Sequence, residues 1–232
     1  MKKMQFIKSS LIAILGLLIF SCSSDDPKVE DYGTTTGNYF PLAVNNKWWY
    51  QNNGIETEIY VFGISDFNKV NYYQIIDTND NLQISNWIVK KGASYYQKVG
   101  ETLVSQPGGI TVGVGEYEIK LFRDDLLSGE TWNGSSSIKV TLYDGGSPRI
   151  LPASLTYNGT ILKRDATEKL GAVTYTNIIK MQMNIVLKIN SQTTNINSEY
   201  WFAKDIGLIK ETATSSTDNV TITKYLTRFE LN

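Results

Sequence analysis

The stretch NIIKMQMNIVLKIN, residues 177–190, does most to limit what this chain can fold into. Ile179, Met181, Met183, Ile185, Leu187 and Ile189 alternate with Lys180, Gln182, Asn184, Val186, Lys188 and Asn190. A period of two places one set of side chains on one face of an extended strand, whereas a helix would scatter them around its circumference. The segment is therefore a long strand with one buried face and one mostly wet face.

The same pattern recurs along the chain. SSIKVTLYD reads as a strand with Ile138, Val140 and Leu142 inward, and ETEIYVFGI, VNYYQIID, LQISNWIVK, ASYYQKV, TVGVGEYEIKLF, SLTYNGTILK and NVTITKYLTRFEL are also strand-like. Asn52-Asn53-Gly54, Thr78-Asn79-Asp80-Asn81, Pro107-Gly108-Gly109 and Asp144-Gly145-Gly146 supply turns between them. No amphipathic helix of ten or more residues follows the N-terminal segment. Strands joined by short connections imply an all-β, mainly antiparallel domain. Because several strands are long and the best-patterned one has a single apolar face, the expected form is one large curved sheet making a half-barrel or barrel. A β-sandwich is the alternative.

The N-terminus has a different character. Lys2, Lys3 and Lys8 precede an apolar run from Leu11 to Phe20 that stops at Ser21-Cys22. This is the layout of an export signal, and the run is about half the ~20 apolar residues a membrane-spanning helix needs. Ser23 to Gly37 is small, polar and charged apart from single Val and Tyr residues, and cannot bury a core. The expected organisation is a signal peptide over 1–21, a flexible polar tether over 22–37 and an antiparallel β domain over 38–232. About 195 residues suffice for one hydrophobic core.

Composition excludes whole classes of chemistry. The chain has no His and one Cys, so a Ser-His pair, a disulfide and a His-based metal site are all ruled out. Loss of residues 1–21 removes three lysines and no acid from 22 basic and 23 acidic residues, leaving 19 against 23 and a net charge near −4. A mildly acidic domain without basic clusters argues against nucleic acid as a partner. No cofactor or metal is expected.

Ile19-Phe20-Ser21-Cys22 resembles the lipobox of bacterial lipoproteins, in which the signal is cut before the cysteine and that cysteine carries the lipid. The resemblance implies lipid attachment at Cys22 and a membrane partner through that anchor, with acyl chains contributing about 0.8 kcal/mol per buried CH₂. Ser23-Ser24-Asp25-Asp26 resembles the acidic export signal of Bacteroidota lipoproteins. It implies an outer-membrane location facing the cell exterior, with the periplasmic face as the alternative. Two further segments, YFPLAVNNKWWY (39–50) and YWFAKDIGLIKE (200–211), resemble the opening and a late hairpin of uncharacterised Bacteroidota cell-surface lipoproteins. Neither segment brings a catalytic residue. In local terms, Asn45-Asn46 is a turn that launches a strand with Trp48 and Tyr50 on one face, and Gly207 supplies a positive φ for the hairpin. Asp205 stands where the family usually has Gly.

Candidate chemistry is sparse. Ser136 and Lys139 match an S-x-x-K spacing, but on a strand that offset points them to opposite faces. Asp77, Asn79 and Asn81 imitate the opening of a calcium loop, yet Leu82 and Ile88 stand where Gly and Glu are required, so the segment reads as a polar turn. A glycoside hydrolase, the third reading of function, would need carboxylates alone. Glu116 and Glu118 lie about 6.5–7 Å apart on one strand face, within the roughly 5–9.5 Å of such pairs, but Glu56 and Glu58 share that spacing.

The aromatic doublets are the stronger lead. In Trp48-Trp49, Tyr72-Tyr73, Tyr95-Tyr96 and Tyr200-Trp201-Phe202, neighbouring rings point to opposite faces, and outward rings stack on sugars or fill an apolar groove. The leading expectation is a non-enzymatic lipoprotein that binds a glycan, a protein or another macromolecule through Trp49 and Trp201. The alternative is a lipid or lipoprotein carrier with a half-barrel cavity.

Overall fold

The computed structural model describes residues 30–80, 84–106, 109–216 and 220–232. Its compact unit runs from Tyr32 to Asn232. The first eight strands are β1 (Lys47–Asn52), β2 (Ile55–Phe67), β3 (Val70–Asp77), β4 (Asn86–Lys91), β5 (Ser94–Val99), β6 (Thr102–Gln106), β7 (Ile110–Val114) and β8 (Tyr117–Arg123). The second eight are β9 (Thr131–Ser136), β10 (Val140–Tyr143), β11 (Arg149–Leu151), β12 (Ala153–Leu170), β13 (Val173–Ile189), β14 (Gln192–Ala203), β15 (Gly207–Ser215) and β16 (Thr221–Glu230). No helix occurs among the described residues.

Twelve strands form one antiparallel sheet in the order β8-β5-β4-β3-β2-β1-β16-β15-β14-β13-β12-β9, and β11-β10-β7-β6 form a second, four-stranded one. The large sheet curls until its ends meet, confirming the all-β, barrel-like expectation. At the closure Trp132 Nε1 of β9 donates to the Lys120 carbonyl of β8 (3.0 Å), and the Lys120 N–H donates to the Tyr157 hydroxyl (3.0 Å). Side chains thus seal a seam that backbone ladders seal elsewhere. They lie flat because glycine faces each of them: Trp132 pairs with Gly159 and Tyr157 with Gly134. A Cβ on Gly159 would sit 2.1 Å from the indole, and one on Gly134 would sit 2.3 Å from the Tyr157 oxygen.

Local signals explain the hairpins. Asn53 (φ 47°) and Gly54 (φ 85°) make the two-residue β1–β2 turn in which both residues take positive φ. On β13, Ile179, Met181 and Met183 are buried as the alternation predicts. Two strand expectations are corrected. SSIKVTLYD is not one strand: β9 ends at Ser136, and Ile138 is buried in the connection where the chain leaves the large sheet for the small one. TVGVGEYEIKLF likewise breaks at Gly115-Glu116 into β7 and β8, one in each sheet.

A barrel of twelve strands encloses more space than aliphatic side chains fill, and aromatic rings occupy the excess. Tyr95, Phe122, Phe202 and Tyr200 form a column with successive centroid distances of 4.5, 4.7 and 6.1 Å. It crosses the lumen from β5 and β8 to β14. The segments 39–50 and 200–211 lock together beside it, although β16 lies between β1 and β15. Trp48 Nε1 donates to the Ile206 carbonyl (2.6 Å), the Tyr50 hydroxyl donates to the Leu208 carbonyl (2.9 Å) and the Asp205 N–H donates to the Asn38 carbonyl (2.6 Å). Gly207 takes φ 112° as expected, and Asp205 takes φ 60°, a conformation that glycine adopts more readily.

The boundary at residue 38 moves. Tyr32 to Gly37, given to the tether on composition, belong to the compact unit. Asp124, fully buried, accepts from the Thr36 N–H (2.7 Å) and the Thr35 hydroxyl (2.8 Å) and pairs with the Lys90 ammonium (3.0 Å). A mostly polar segment is held here by hydrogen bonds to one buried carboxylate and by the packing of Tyr32 against Tyr96 (ring centroids 6.2 Å), neither of which composition reveals.

Candidate functional site

The outward rings of the doublets are partnered: Trp49 is buried and Trp201 half-buried. Trp49 is 7 % exposed because the Arg228 guanidinium lies 3.9 Å from its ring centroid and Lys47 sits over it at 6.0 Å. Trp201 is flanked by two ammonium groups, Lys180 at 3.7 Å and Lys210 at 4.3 Å, and its indole N–H donates to Glu199. The two tryptophans are not brought together: β16 and β15 lie between their strands, a lateral separation of about 14 Å at ~4.8 Å per strand. Tyr72 and Tyr96 are also buried, in an outer cluster with Tyr32, Phe67 and Trp87. Cations and neighbouring rings occupy the faces on which a sugar would stack.

Other sequence candidates have structural partners. Glu116 pairs with Lys98 (2.9 Å), and Glu118 accepts from the Tyr72 hydroxyl (2.5 Å). Asp77 accepts from the Asn79 N–H (2.9 Å), as in a polar turn. Cys22 lies outside the described residues.

The concave site is inside the barrel. A cavity of about 210 Å³ remains where the aromatic column ends at Tyr200. Phe40, Tyr50, Tyr200 and Phe202 form part of its wall, and Asp77, Asn86, Gln97, Glu211 and Lys224 bring polar groups to it. Strand register explains the grouping. Glu211 of β15 faces Tyr200 on one side and Lys224 on the other, and Glu211 and Lys224 form an ion pair at 2.6 Å with each side chain about one-fifth exposed. Across the lumen, Gln97 Nε2 donates to Asn86 Oδ1 (3.2 Å). Lys224 also lies 5.6 Å from the Tyr50 ring centroid.

Burial, followed by the charge of Glu211, raises the Tyr200 hydroxyl above its ordinary value. Burial, then the charges of Glu211 and Asp77, also raises the Tyr50 hydroxyl well above its ordinary value. Both phenols therefore stay protonated at neutral pH and act as neutral hydrogen-bonding groups. An apolar pocket with a few convergent polar groups is the usual form of a small-molecule site. A wider cleft of about 560 Å³ lies between Lys169–Val173 and Tyr225–Thr227, but no carboxylate and no ion pair lines it.

Sequence reasoning missed this site, although one signal pointed to it. Lys224 stands between Ile222 and Leu226 in a period-two run, a charged residue in step with apolar ones.

No protein-family profile and no curated protein matches this chain. Two solved structures are similar to it. One, from Parabacteroides distasonis and provisionally described as a lipoprotein, has 12% identity over 83% of this chain and 98% of that chain, with a TM-score of 0.43. The other is an exported protein, also provisionally described, with a YmcC-like fold from Bacteroides fragilis; it has 11% identity over 82% of this chain and 98% of that chain, with a TM-score of 0.40.

Proposed function

We propose that this chain is a lipid-anchored cell-envelope protein that works by binding, and that it takes a small ligand, or the terminal group of a larger one, into the barrel cavity. The observation that carries the reading is the placement of Glu211, Lys224 and Asp77, with the hydrogen-bonded amides of Asn86 and Gln97, in a cavity whose remaining wall is aromatic and aliphatic. Charged groups are costly to hold in such a wall unless paired. The lipobox at Cys22 and the acidic residues after it support anchoring to the outer membrane with the domain outside the cell.

Cavity size decides between two kinds of ligand. Pockets that enclose drug-sized molecules have about 300–1,000 Å³, and 210 Å³ falls below that range. The size favours one sugar residue or a similar small polar group over an acyl chain, and so disfavours the carrier reading. The test is a thermal-shift screen of small sugars, amines and short peptides on the native protein and on Ile75→Trp, which fills the cavity. A ligand present at 100 times its Kd stabilises by about 2.7 kcal/mol. Stabilisation in the native protein that vanishes in the variant supports the reading; equal stabilisation in both overturns it.

A further inference from the structure

We infer that the ligand of this cavity carries a positive charge, and that Asp77 and the aromatic wall recognise its ammonium group; this rests on the binding reading above. Three charged residues line the cavity, two carboxylates and one ammonium, so the wall carries one net negative charge. Glu211 and Lys224 neutralise each other at 2.6 Å, which leaves Asp77 as the uncompensated charge in the wall. Its side chain accepts a backbone N–H from Asn79, a neutral donor that fixes the carboxylate without cancelling it.

The rest of the wall suits the same chemistry. Phe40, Tyr50, Tyr200 and Phe202 all line one small volume; Phe202 is stacked between Phe122 and Tyr200, so Phe40, Tyr50 and Tyr200 are the rings left to attract a cation. The cavity already shows this preference within the protein, where the Lys224 ammonium stands over the Tyr50 ring at 5.6 Å. An anion would meet two carboxylates and a single lysine that is already paired. A neutral molecule of equal shape would gain the apolar contacts but nothing from Asp77. A small primary or quaternary ammonium group with a short apolar or hydroxylated body fits all the features of the wall.

Calorimetric titration of the full chain with three probes of similar size tests this: choline, its neutral isostere 3,3-dimethyl-1-butanol, and butyrate. Choline is expected to bind at least tenfold more tightly than the other two. Asp77→Asn, which keeps the turn acceptor, is expected to remove about tenfold of choline affinity and leave the neutral isostere unchanged. Glu211→Gln provides a second variant, since it leaves Lys224 unpaired and should weaken choline further. Equal binding of choline and its isostere, or preferential binding of butyrate, overturns the charge assignment while the cavity reading stands. Absence of binding by all three likewise overturns the charge assignment, whereas the cavity reading falls only on equal stabilisation of the native protein and Ile75→Trp in the ligand screen.

Discussion

Gly159→Ala tests the account of barrel closure, because the residue it disturbs is a ring that seals the seam. The new methyl would lie 2.1 Å from the Trp132 indole, so the ring must move by more than an ångström to reach ordinary contact. That displacement breaks the 3.0 Å bond from Trp132 Nε1 to the Lys120 carbonyl. Overpacking costs about 1–3 kcal/mol and the lost hydrogen bond about 0.5–1.5 kcal/mol, for a total of roughly 1.5–4.5 kcal/mol. In a Trp132→Ala background, itself about 3–5 kcal/mol less stable, the ring is gone. There Gly159→Ala should be neutral or gain about 0.5–1 kcal/mol, because alanine orders a strand at less entropic cost than glycine. Urea denaturation of the four proteins, with unchanged m-values, gives the coupling. If Gly159→Ala costs the same in both backgrounds, the ring does not lie over the glycine and the seam is closed in some other way.

Three further outcomes follow from the structure. Asp124→Ala leaves Lys90 and the Thr36 N–H without their buried partner; the cost should be about 3–5 kcal/mol, with limited proteolysis releasing the residues before Asn38 earlier than the rest of the domain unfolds. Trp49→Ala and Trp201→Ala should each lower thermal stability, because Arg228 and the Lys180–Lys210 pair lose their ring partners, while ligand affinity stays unchanged; a loss of affinity would return the site to the outer face. The hydroxyls of Tyr50 and Tyr200 are raised in the fold, so the stability they contribute is complete below the ordinary tyrosine value near 10 and falls as pH climbs through the raised ones. Phenolate absorbance should show both ionising only with unfolding, and Tyr50→Phe with Tyr200→Phe should shrink that lag by two phenols, leaving the part due to other buried tyrosines such as Tyr72 and Tyr95, whose hydroxyls burial also raises.

Most of the strand pattern is legible in the sequence because alternation reports a local property, the two faces of an extended backbone. Ile179 to Met183 and the Asn53-Gly54 turn are examples. The transfer of the chain between sheets at Ile138 is not legible, because the residue is apolar and buried in either case. The same limit governs the site. Alternation puts Trp49 and Trp201 opposite the core, but it does not show that Arg228, Lys180 and Lys210 cover them, since those groups come from neighbouring strands. Glu211 and Lys224 lie in separate strands and acquire meaning as a pair only through the β15–β16 register. The docking of Thr35 and Thr36 depends on Asp124, almost ninety residues further along the chain, and a polar segment gives no local sign of it.

The proposed ligand enters the barrel and not its outer aromatic face. Chemical-shift mapping by NMR on the labelled protein, with the best ligand of the binding screen, tests it most directly. The ring signals of Tyr50 and Tyr200 and the Lys224 side chain are expected to shift, while the indole N–H signals of Trp49 and Trp201 stay in place. Movement of the two indoles with a silent cavity would contradict this.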